Sequence, residues 1–293
     1  MLKDLKREFF DNANVLMRLI VVNVMVFFAM HILNAFFTLF QVAEVYNTID
    51  YYLSFPASLN AFIFRPWTII TYNLVHAGLF HILFNMLILY WFGTMLINLM
   101  GPKRLLPIFF TGGIFGGILF MLAYNIFPIF SLALENANLR GASAGVFAVV
   151  FAMITVSPDR EIRLMFVGPV KLKVIGLILL GINLIDMIGS NAGGAFAHLG
   201  GALLGYLYIK QLRAGKDLGA WFNLIINFFT KSNTPNLKVV HKQQRTRKSN
   251  KEHITYQYDE QKVNAILDKI SNAGYSSLSD AEKAYLMKAS KDK

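Results

Sequence analysis

Long apolar runs, separated by short polar stretches, organise the chain up to about residue 212. Several runs approach 20 residues, the length with which an α-helix crosses about 30 Å of hydrocarbon. The pattern predicts six membrane-spanning helices, at residues 17–40, 81–100, 105–127, 143–156, 173–188 and 195–212. We therefore expect an all-α membrane protein, a six-helix bundle with a long loop, residues 41–80, after the first span.

Lysine and arginine are distributed unevenly among the loops between these spans. One set of loops, with the segment after the sixth span, contains Lys103, Arg104, Arg160, Arg163, Lys171, Lys173, Lys210, Arg213 and Lys216. The alternate loops contain only Arg65 and Arg140. Because an excess of Lys and Arg marks the cytoplasmic side, both termini are predicted to be cytosolic. The net charge of +11 then reflects topology, and no nucleic-acid partner is predicted.

Composition supports the membrane assignment. Hydrophobic residues make up 55% of the 293 residues and charged residues 15%, and the mean hydropathy is +0.48. These values are too apolar for a soluble globular domain. Cysteine is absent, which excludes disulfides and thiolate metal sites. Residues 1–16 do not resemble a cleavable signal peptide and are expected to form either a short surface helix or a frayed polar terminus.

The chain changes character after the predicted membrane domain, residues 17–212. Residues 213–255 are predicted to form an interfacial helix and a basic linker, whose charge suits anionic lipid headgroups. Residues 256–293 are predicted to form a small cytosolic helical hairpin, because their apolar residues follow helical spacing. Ser279 and Glu282 provide a capping-box signature for its second helix.

The stretch "LRGASAGVFAVVF", residues 139–151, places Ser143 among glycines and alanines at the start of the fourth span. Small residues allow close helix packing, which is one explanation for a serine here. In "AHLGGALLG", His198, Gly201 and Gly205 share a helical face that suits the alanine stripe of the fourth span. If these helices pack, Ser143 and His198 meet, as a nucleophile and its general base require.

Depth provides an independent check on that pairing. The predicted fourth helix rises only about 20 Å, so Ser143 would lie below the membrane surface. Residues 136–142 would then be irregular backbone at membrane depth, which is tolerated where it lines a cavity. On the fifth span, Asn183 and Asp186 are expected to share a face and to bond loop backbone.

A second group of polar residues lies in "VHAGLFHILFN", which contains His76, His81 and Asn85. His81 and Asn85 are one helical turn apart and share a face of the second span. The spacing is not H-E-x-x-H, and no Glu is available as a general base. Metal binding by His76 and His81 stays an alternative, but our prediction assigns no metal and no cofactor.

Together these motifs resemble the rhomboid family of intramembrane serine proteases. Gly141–Ser143 resembles the family's G-x-S nucleophile motif, and the His198 segment resembles the motif of the base histidine and its packing glycines. The segment with His81 and Asn85 resembles the motif that supplies the oxyanion hole. The resemblance implies a six-helix rhomboid-like bundle and a serine-type endopeptidase that uses a Ser143–His198 dyad.

Further expectations follow from the resemblance. His76, Gly141, Gly201 and Gly205 are assigned supporting roles, and Phe147, one turn below Ser143, is either a stacking partner for the imidazole or a plain core aromatic. The partners would be transmembrane protein substrates and membrane lipids, and nothing indicates the oligomeric state. The terminal hairpin resembles an appendix of some bacterial members, which predicts a bacterial inner (cytoplasmic) membrane.

The sequence departs from the family pattern at two places. Ala144 follows the serine where the family often has glycine, and its methyl group is a potential obstacle to substrate backbone. Trp67 is followed by Thr68 where the family often has arginine, which weakens an inference about loop anchoring. A catalytically inactive rhomboid-like protein that binds membrane clients is the main alternative. A transporter is a second alternative, although no repeated halves are evident.

The predicted topology can be tested by cysteine accessibility, because the chain contains no cysteine of its own. Single cysteines at Pro158 and Lys251 should react only from the cytosolic side, and one near Asn138 only from the other side. The measurement is labelling of intact cells or oriented vesicles with a membrane-impermeant maleimide. The reverse labelling pattern would contradict the six-span topology.

Overall fold

A computed structural model describes residues 15–164, 167–189, 191–222, 224 and 259–291. Internal contacts divide the chain into two units, Met1–Asn233 and Thr234–Lys293. The helices and strands of the first unit are α1 (Val15–Leu39), α2 (Ala43–Leu53), β1 (Phe55–Pro56), α3 (Leu59–Phe64), α4 (Thr68–Thr71), α5 (Leu79–Met100), α6 (Leu105–Ile126), β2 (Asn138–Leu139), α7 (Ser143–Val156), β3 (Glu161–Leu164), β4 (Gly168–Lys171), α8 (Leu172–Asp186) and α9 (Ala192–Arg213).

Each of the six predicted spans coincides with one of the long helices α1, α5, α6, α7, α8 and α9. By length and composition, four of the described helical segments are able to cross a membrane: Val15–Leu39, Leu79–Met100, Pro102–Ile126 and Ala192–Arg213. The apolar helix α7 has 14 residues and α8 has 15. The architecture is therefore a helical bundle with the composition of a membrane protein, and six crossings stay a prediction.

The short helix α7 lies at the centre of this bundle, packed between α5, α6 and α9. Its residues 144–146 and 148–153 are all buried. A Cβ atom built on Gly201 of α9 would overlap the backbone carbonyl of Ala144, and one on Gly205 would overlap that of Ala148. Backbone contact this close requires glycine, and it lets α7 and α9 approach along the small-residue faces that the sequence predicts.

The segment between α1 and α5 has its own structure and is anchored by two side chains. The buried guanidinium group of Arg65 lies 3.4 Å from the centroid of the Tyr51 ring. It donates to the Tyr51 carbonyl, and to Asn138 Oδ1 at 3.2 Å. The Trp67 indole N–H donates to the Tyr52 carbonyl at 2.8 Å. This segment is therefore anchored even though Thr68 follows Trp67. Arg65, two positions before Trp67, provides the guanidinium contacts.

The backbone before Ser143 is more regular than expected. Strand β2 pairs with β1 in antiparallel register, with Phe55 opposite Leu139 and Pro56 opposite Asn138. The expectation of irregular backbone at residues 136–142 was therefore wrong for this strand. Pairing satisfies backbone groups that would otherwise be costly at membrane depth. It also fixes the chain up to Leu139, two residues before Gly141.

The second unit contains α10 (Glu260–Ala273) and α11 (Asp280–Lys291). The predicted capping box is observed, since the Ser279 N–H donates to Glu282 Oε2 at 2.7 Å and the Glu282 N–H donates to Ser279 Oγ at 3.3 Å. Residues 1–14 of the predicted N-terminal segment and the basic linker lie outside the described residues, as do residues 223 and 225–229 of the predicted interfacial helix. The predicted domain boundaries therefore stay predictions.

Gly201→Ala tests the contact between α7 and α9. The new methyl group would overlap the Ala144 carbonyl, and overpacking of this kind typically costs about 1–3 kcal/mol. We expect a lower thermal unfolding midpoint in detergent. Gly181→Ala on α8 is the matched control, because no atom of the described part of the chain lies within 4 Å of its Cβ position. An unchanged midpoint for Gly201→Ala would contradict the close packing.

Candidate active site

A cavity of about 700 Å³, lined by both polar and apolar side chains, lies near the N-terminal ends of α5, α7 and α9. Ser143 is the first residue of α7, and the other key polar side chains come from the first turns of α5 and from α9. The residues predicted to carry chemistry that line this cavity are His81, Asn85, Ser143, Phe147 and His198. Helices distant in sequence therefore bring the two predicted motif groups to one site.

Ser143 lies at the junction between a constrained loop and a helix N-terminus. The first N–H groups of a helix have no intrahelical acceptor, and they form the positive end of its dipole. Gly141, two residues earlier, has φ of +122°, a conformation that side chains rarely adopt. A Cβ atom on Gly141 would also lie 2.6 Å from Cε1 of His81. Glycine therefore allows both the turn and the position of the His81 ring.

His76 holds the backbone of this turn. Its Nε2 accepts a hydrogen bond from the Ala142 N–H at 3.4 Å, and its Nδ1 lies 3.3 Å from the Leu74 carbonyl oxygen. Because a carbonyl oxygen only accepts, Nδ1 carries the proton. Burial, together with the nearby His81 ring, lowers the pKa of His76 to about 4. The imidazole is therefore neutral at physiological pH, as its acceptor role requires.

The His198 ring is held by two contacts. It stacks on Phe147, with ring centroids 4.4 Å apart and an interplanar angle of 5°. Its Nδ1 lies 3.0 Å from Oδ1 of the buried Asn183 on α8. The Asn183 side chain also donates from Nδ2 to the Ala195 carbonyl at 2.8 Å. The ring plane and one ring nitrogen of His198 are thus both fixed by neighbouring side chains.

This geometry corrects the expectation for the fifth span. Asn183 bonds backbone within α9 instead of a loop, and it also contacts His198. Asp186 is exposed whereas Asn183 is buried, so the two side chains do not share an environment. The sequence analysis missed the contact with His198, because the relative rotation of α8 and α9 cannot be read from spacing along either helix.

Asn85, on α5, combines burial with an unsatisfied hydrogen-bond donor. Its side chain is buried and lines the cavity, yet its Nδ2 has no hydrogen-bond partner among the described residues. A buried amide N–H without an acceptor is costly, and such groups call for an explanation. Asn85 therefore offers a free donor at a site shared with Ser143 and His198.

Ala144 does not obstruct the cavity. The residue is buried and absent from the cavity lining. A Cβ atom built on Gly116 of α6 would lie 2.6 Å from the Ala144 methyl group. The methyl group therefore packs against α6, and the departure from the family's glycine is accommodated by helix packing.

The rings of His76 and His81 lie 5.2 Å apart, centroid to centroid. Within the described part of the chain, no group of three or more His, Asp or Glu side chains has the arrangement to hold a metal ion. The two histidines make different contacts. His76 bonds backbone, and His81 lines the cavity.

Arg140 is a cavity residue that the sequence analysis treated only as a loop charge. Its guanidinium group forms an ion pair with Asp50 and donates from Nε to Ser54 Oγ at 2.8 Å. Asp50 lies on α2, so this network links the loop before Ser143 to the segment after α1. The sequence offered one indication of a specific role for Arg140: it is one of two basic residues in the alternate loops.

The fold and the cavity define a helical membrane protein with a buried polar site. A family model described as the Rhomboid domain matches residues 64–214, just over half of the chain. The chain belongs to the rhomboid family. A second model, described only as a family of unknown function (DUF6576), matches residues 249–292. The rhomboid match includes all the motifs discussed above.

Two curated proteins illustrate the similarity. RHOMBOID-like protein 12, mitochondrial, of Arabidopsis thaliana is 30% identical over 52% of this chain and 48% of its own length. The Presenilin-associated rhomboid-like protein, mitochondrial, of Rattus norvegicus is 29% identical over 59% of this chain and 44% of its own length. The chain therefore spans about half the length of these relatives. Both relatives are named as mitochondrial proteins, so they do not support the predicted bacterial inner membrane.

Gly141→Ala tests the turn before Ser143. The substitution adds a side chain at positive φ, which costs about 1–2 kcal/mol, and it also brings Cβ against the His81 ring. Gly168→Ala is the matched control, because its φ is +89° but none of the described residues lies within 4 Å of its Cβ position. We expect the thermal unfolding midpoint in detergent to fall further for Gly141→Ala. Equal decreases would show that the ring contact contributes nothing.

Proposed function

We propose that the chain is an intramembrane serine endopeptidase that cleaves peptide bonds in or near transmembrane segments. The observation that carries this proposal is the cavity that Ser143, His198 and the unpartnered Asn85 amide share. Membership of the rhomboid family supports the same reaction class. In this proposal Ser143 is the nucleophile and His198 is its general base.

The reaction proceeds in two halves. Ser143 Oγ attacks the scissile carbonyl carbon while its proton moves to His198 Nε2. The tetrahedral intermediate collapses, the C–N bond breaks, and His198 returns the proton to the leaving amine. Water, deprotonated by His198, then attacks the acyl-enzyme and releases the second product together with free Ser143.

Negative charge develops on the substrate oxygen in both halves of the reaction. Asn85 Nδ2–H and the His81 ring are the proposed side-chain donors, and the backbone N–H of Ser143 is a third donor. The buried and unpartnered state of Asn85 Nδ2 supports its role, because the cost of that free donor is repaid when an oxyanion forms. The N-terminal dipole of α7 favours the same charge.

Supporting residues hold these groups in place. Phe147 holds the imidazole plane of His198 by stacking, and His76 holds the backbone next to Ser143 by a hydrogen bond. Gly141 leaves room for His81. Gly201 and Gly205 let α9 approach α7, so that His198 and Ser143 line the same cavity.

The membrane setting completes the proposal. The Lys and Arg distribution supports six crossings with both termini on the cytosolic side, or on the equivalent side of an organelle membrane. The substrates would be transmembrane proteins that reach the cavity from the surrounding lipid. A water-containing cavity in the membrane would supply the hydrolytic water.

Substitutions at the site test the proposed reaction. Asn85→Ala should lower kcat by about 10²–10³-fold, the usual effect of removing one oxyanion donor, with little change in KM. Ser143→Ala and His198→Ala should each lower kcat further. The double variant should be little worse than either, because the two residues act as a unit. The measurement is cleavage of a reconstituted transmembrane substrate by the full chain.

Thermal unfolding of each variant in the same detergent serves as the control for folding. If Asn85→Ala unfolds at lower temperature but keeps its kcat, its role is packing and the oxyanion assignment is wrong. If the folded wild-type chain binds membrane segments but does not cleave them, the inactive client-binding alternative is correct.

A further inference from the structure

We propose that Asn183 is a positioning residue that keeps the proton of neutral His198 on Nδ1 and leaves Nε2 free to receive the Ser143 proton. The role of this tautomer in catalysis rests on the proposed function. The tautomer itself can be measured without any cleavage assay.

The orientation of the Asn183 amide determines the tautomer of His198. Asn183 Nδ2 lies 2.8 Å from the Ala195 carbonyl oxygen, which can only accept, so the amide nitrogen faces Ala195. The amide oxygen then faces His198 Nδ1 at 3.0 Å. An oxygen without a proton requires a donor, and therefore Nδ1 carries the hydrogen. The reversed amide would place an N–H group against Nδ1 and would leave the Ala195 contact as two opposed acceptors.

Two contacts hold the ring, one on its face and one at a ring nitrogen. Stacking on Phe147, at an interplanar angle of 5°, fixes the plane of the imidazole. The hydrogen bond to Asn183 fixes the rotation of the ring within that plane. With Nδ1 committed to α8, Nε2 is the ring nitrogen available to the cavity that Ser143 also lines.

A neutral amide is consistent with the polarity of this site. The described residues that line the cavity include no Asp or Glu, so no carboxylate among them balances a charged imidazole. When His198 accepts the serine proton on Nε2, its Nδ1–H bond to Asn183 becomes charge-assisted and therefore stronger. Asn183 is 3% exposed, so water does not compete for this bond. Its contribution then grows in the transition state, as catalysis requires.

Three variants separate positioning from structural support. Asn183→Ala removes both hydrogen bonds of the side chain. Asn183→Asp retains an acceptor for His198 Nδ1 but loses the donor to the Ala195 carbonyl. Asp186→Ala removes an exposed polar side chain from the same helix without touching His198 and serves as the matched control.

Nitrogen-15 NMR of histidine-labelled full chain in detergent reads the tautomer directly. The His198 signals are assigned by their loss in His198→Gln. We expect the Nδ1–H form in the wild type, in Asp186→Ala and in Asn183→Asp, and a shift toward the Nε2–H form in Asn183→Ala. A wild-type Nε2–H form, or no change in Asn183→Ala, would overturn the inference whether or not the chain cleaves a substrate.

Kinetics test the catalytic meaning of that tautomer. A hydrogen bond to a charged group corresponds to roughly a 10- to 100-fold change in rate, and we expect that loss in kcat for Asn183→Ala, with KM little changed. Asn183→Asp should recover most of kcat.

The outcomes distinguish this inference from the proposed function. Equal losses of kcat in Asn183→Asp and Asn183→Ala would show that the Ala195 contact matters and that positioning of His198 does not. A wild-type chain with the Nδ1–H tautomer but no Ser143-dependent cleavage would contradict the proposed function and leave the positioning of His198 intact.

Discussion

The close contact of α7 with α9, at positions where only glycine fits, is the constraint on which the rest of the structure depends. Gly201 and Gly205 place the backbone of α9 against the carbonyls of Ala144 and Ala148. A helix of 14 residues is too short to reach across the hydrocarbon, so it is stable in the bundle only when surrounded by longer neighbours. That packing puts the start of α7 at the cavity, with His198 on the adjacent helix lining the same space.

Polar side chains inside an apolar bundle are expensive, and several of those near this cavity have specific partners. His76 bonds the backbone before Ser143, His198 bonds Asn183, and Arg65 bonds Tyr51 and Asn138. These bonds fix the groups that would carry out chemistry. Asn85 is different, since it lines the cavity and its buried Nδ2 has no partner among the described residues. An unmet donor at this site is what a transient oxyanion would require.

The sequence predicted features that repeat along a helix and missed features that depend on how separate elements meet. Six helices follow from long apolar runs, and the contact of α7 with α9 follows from small residues at helical spacing. The pairing of β1 with β2 was not predicted, because two-residue strands have no measurable period. The bond between Asn183 and His198 was missed because it depends on the rotation of α8 against α9. The ion pair of Arg140 was missed because its partner, Asp50, is 90 residues away along the chain.

The central claim is that Ser143 is a nucleophile activated by His198. Treatment of the folded full chain with a fluorophosphonate probe, followed by peptide mapping, tests it most directly, because a covalent adduct identifies the reacting atom without knowledge of any substrate. We expect one adduct, on Ser143, that disappears in Ser143→Ala and forms far more slowly in His198→Ala. An unlabelled Ser143 in the folded chain, or an equal labelling rate in His198→Ala, would contradict the account.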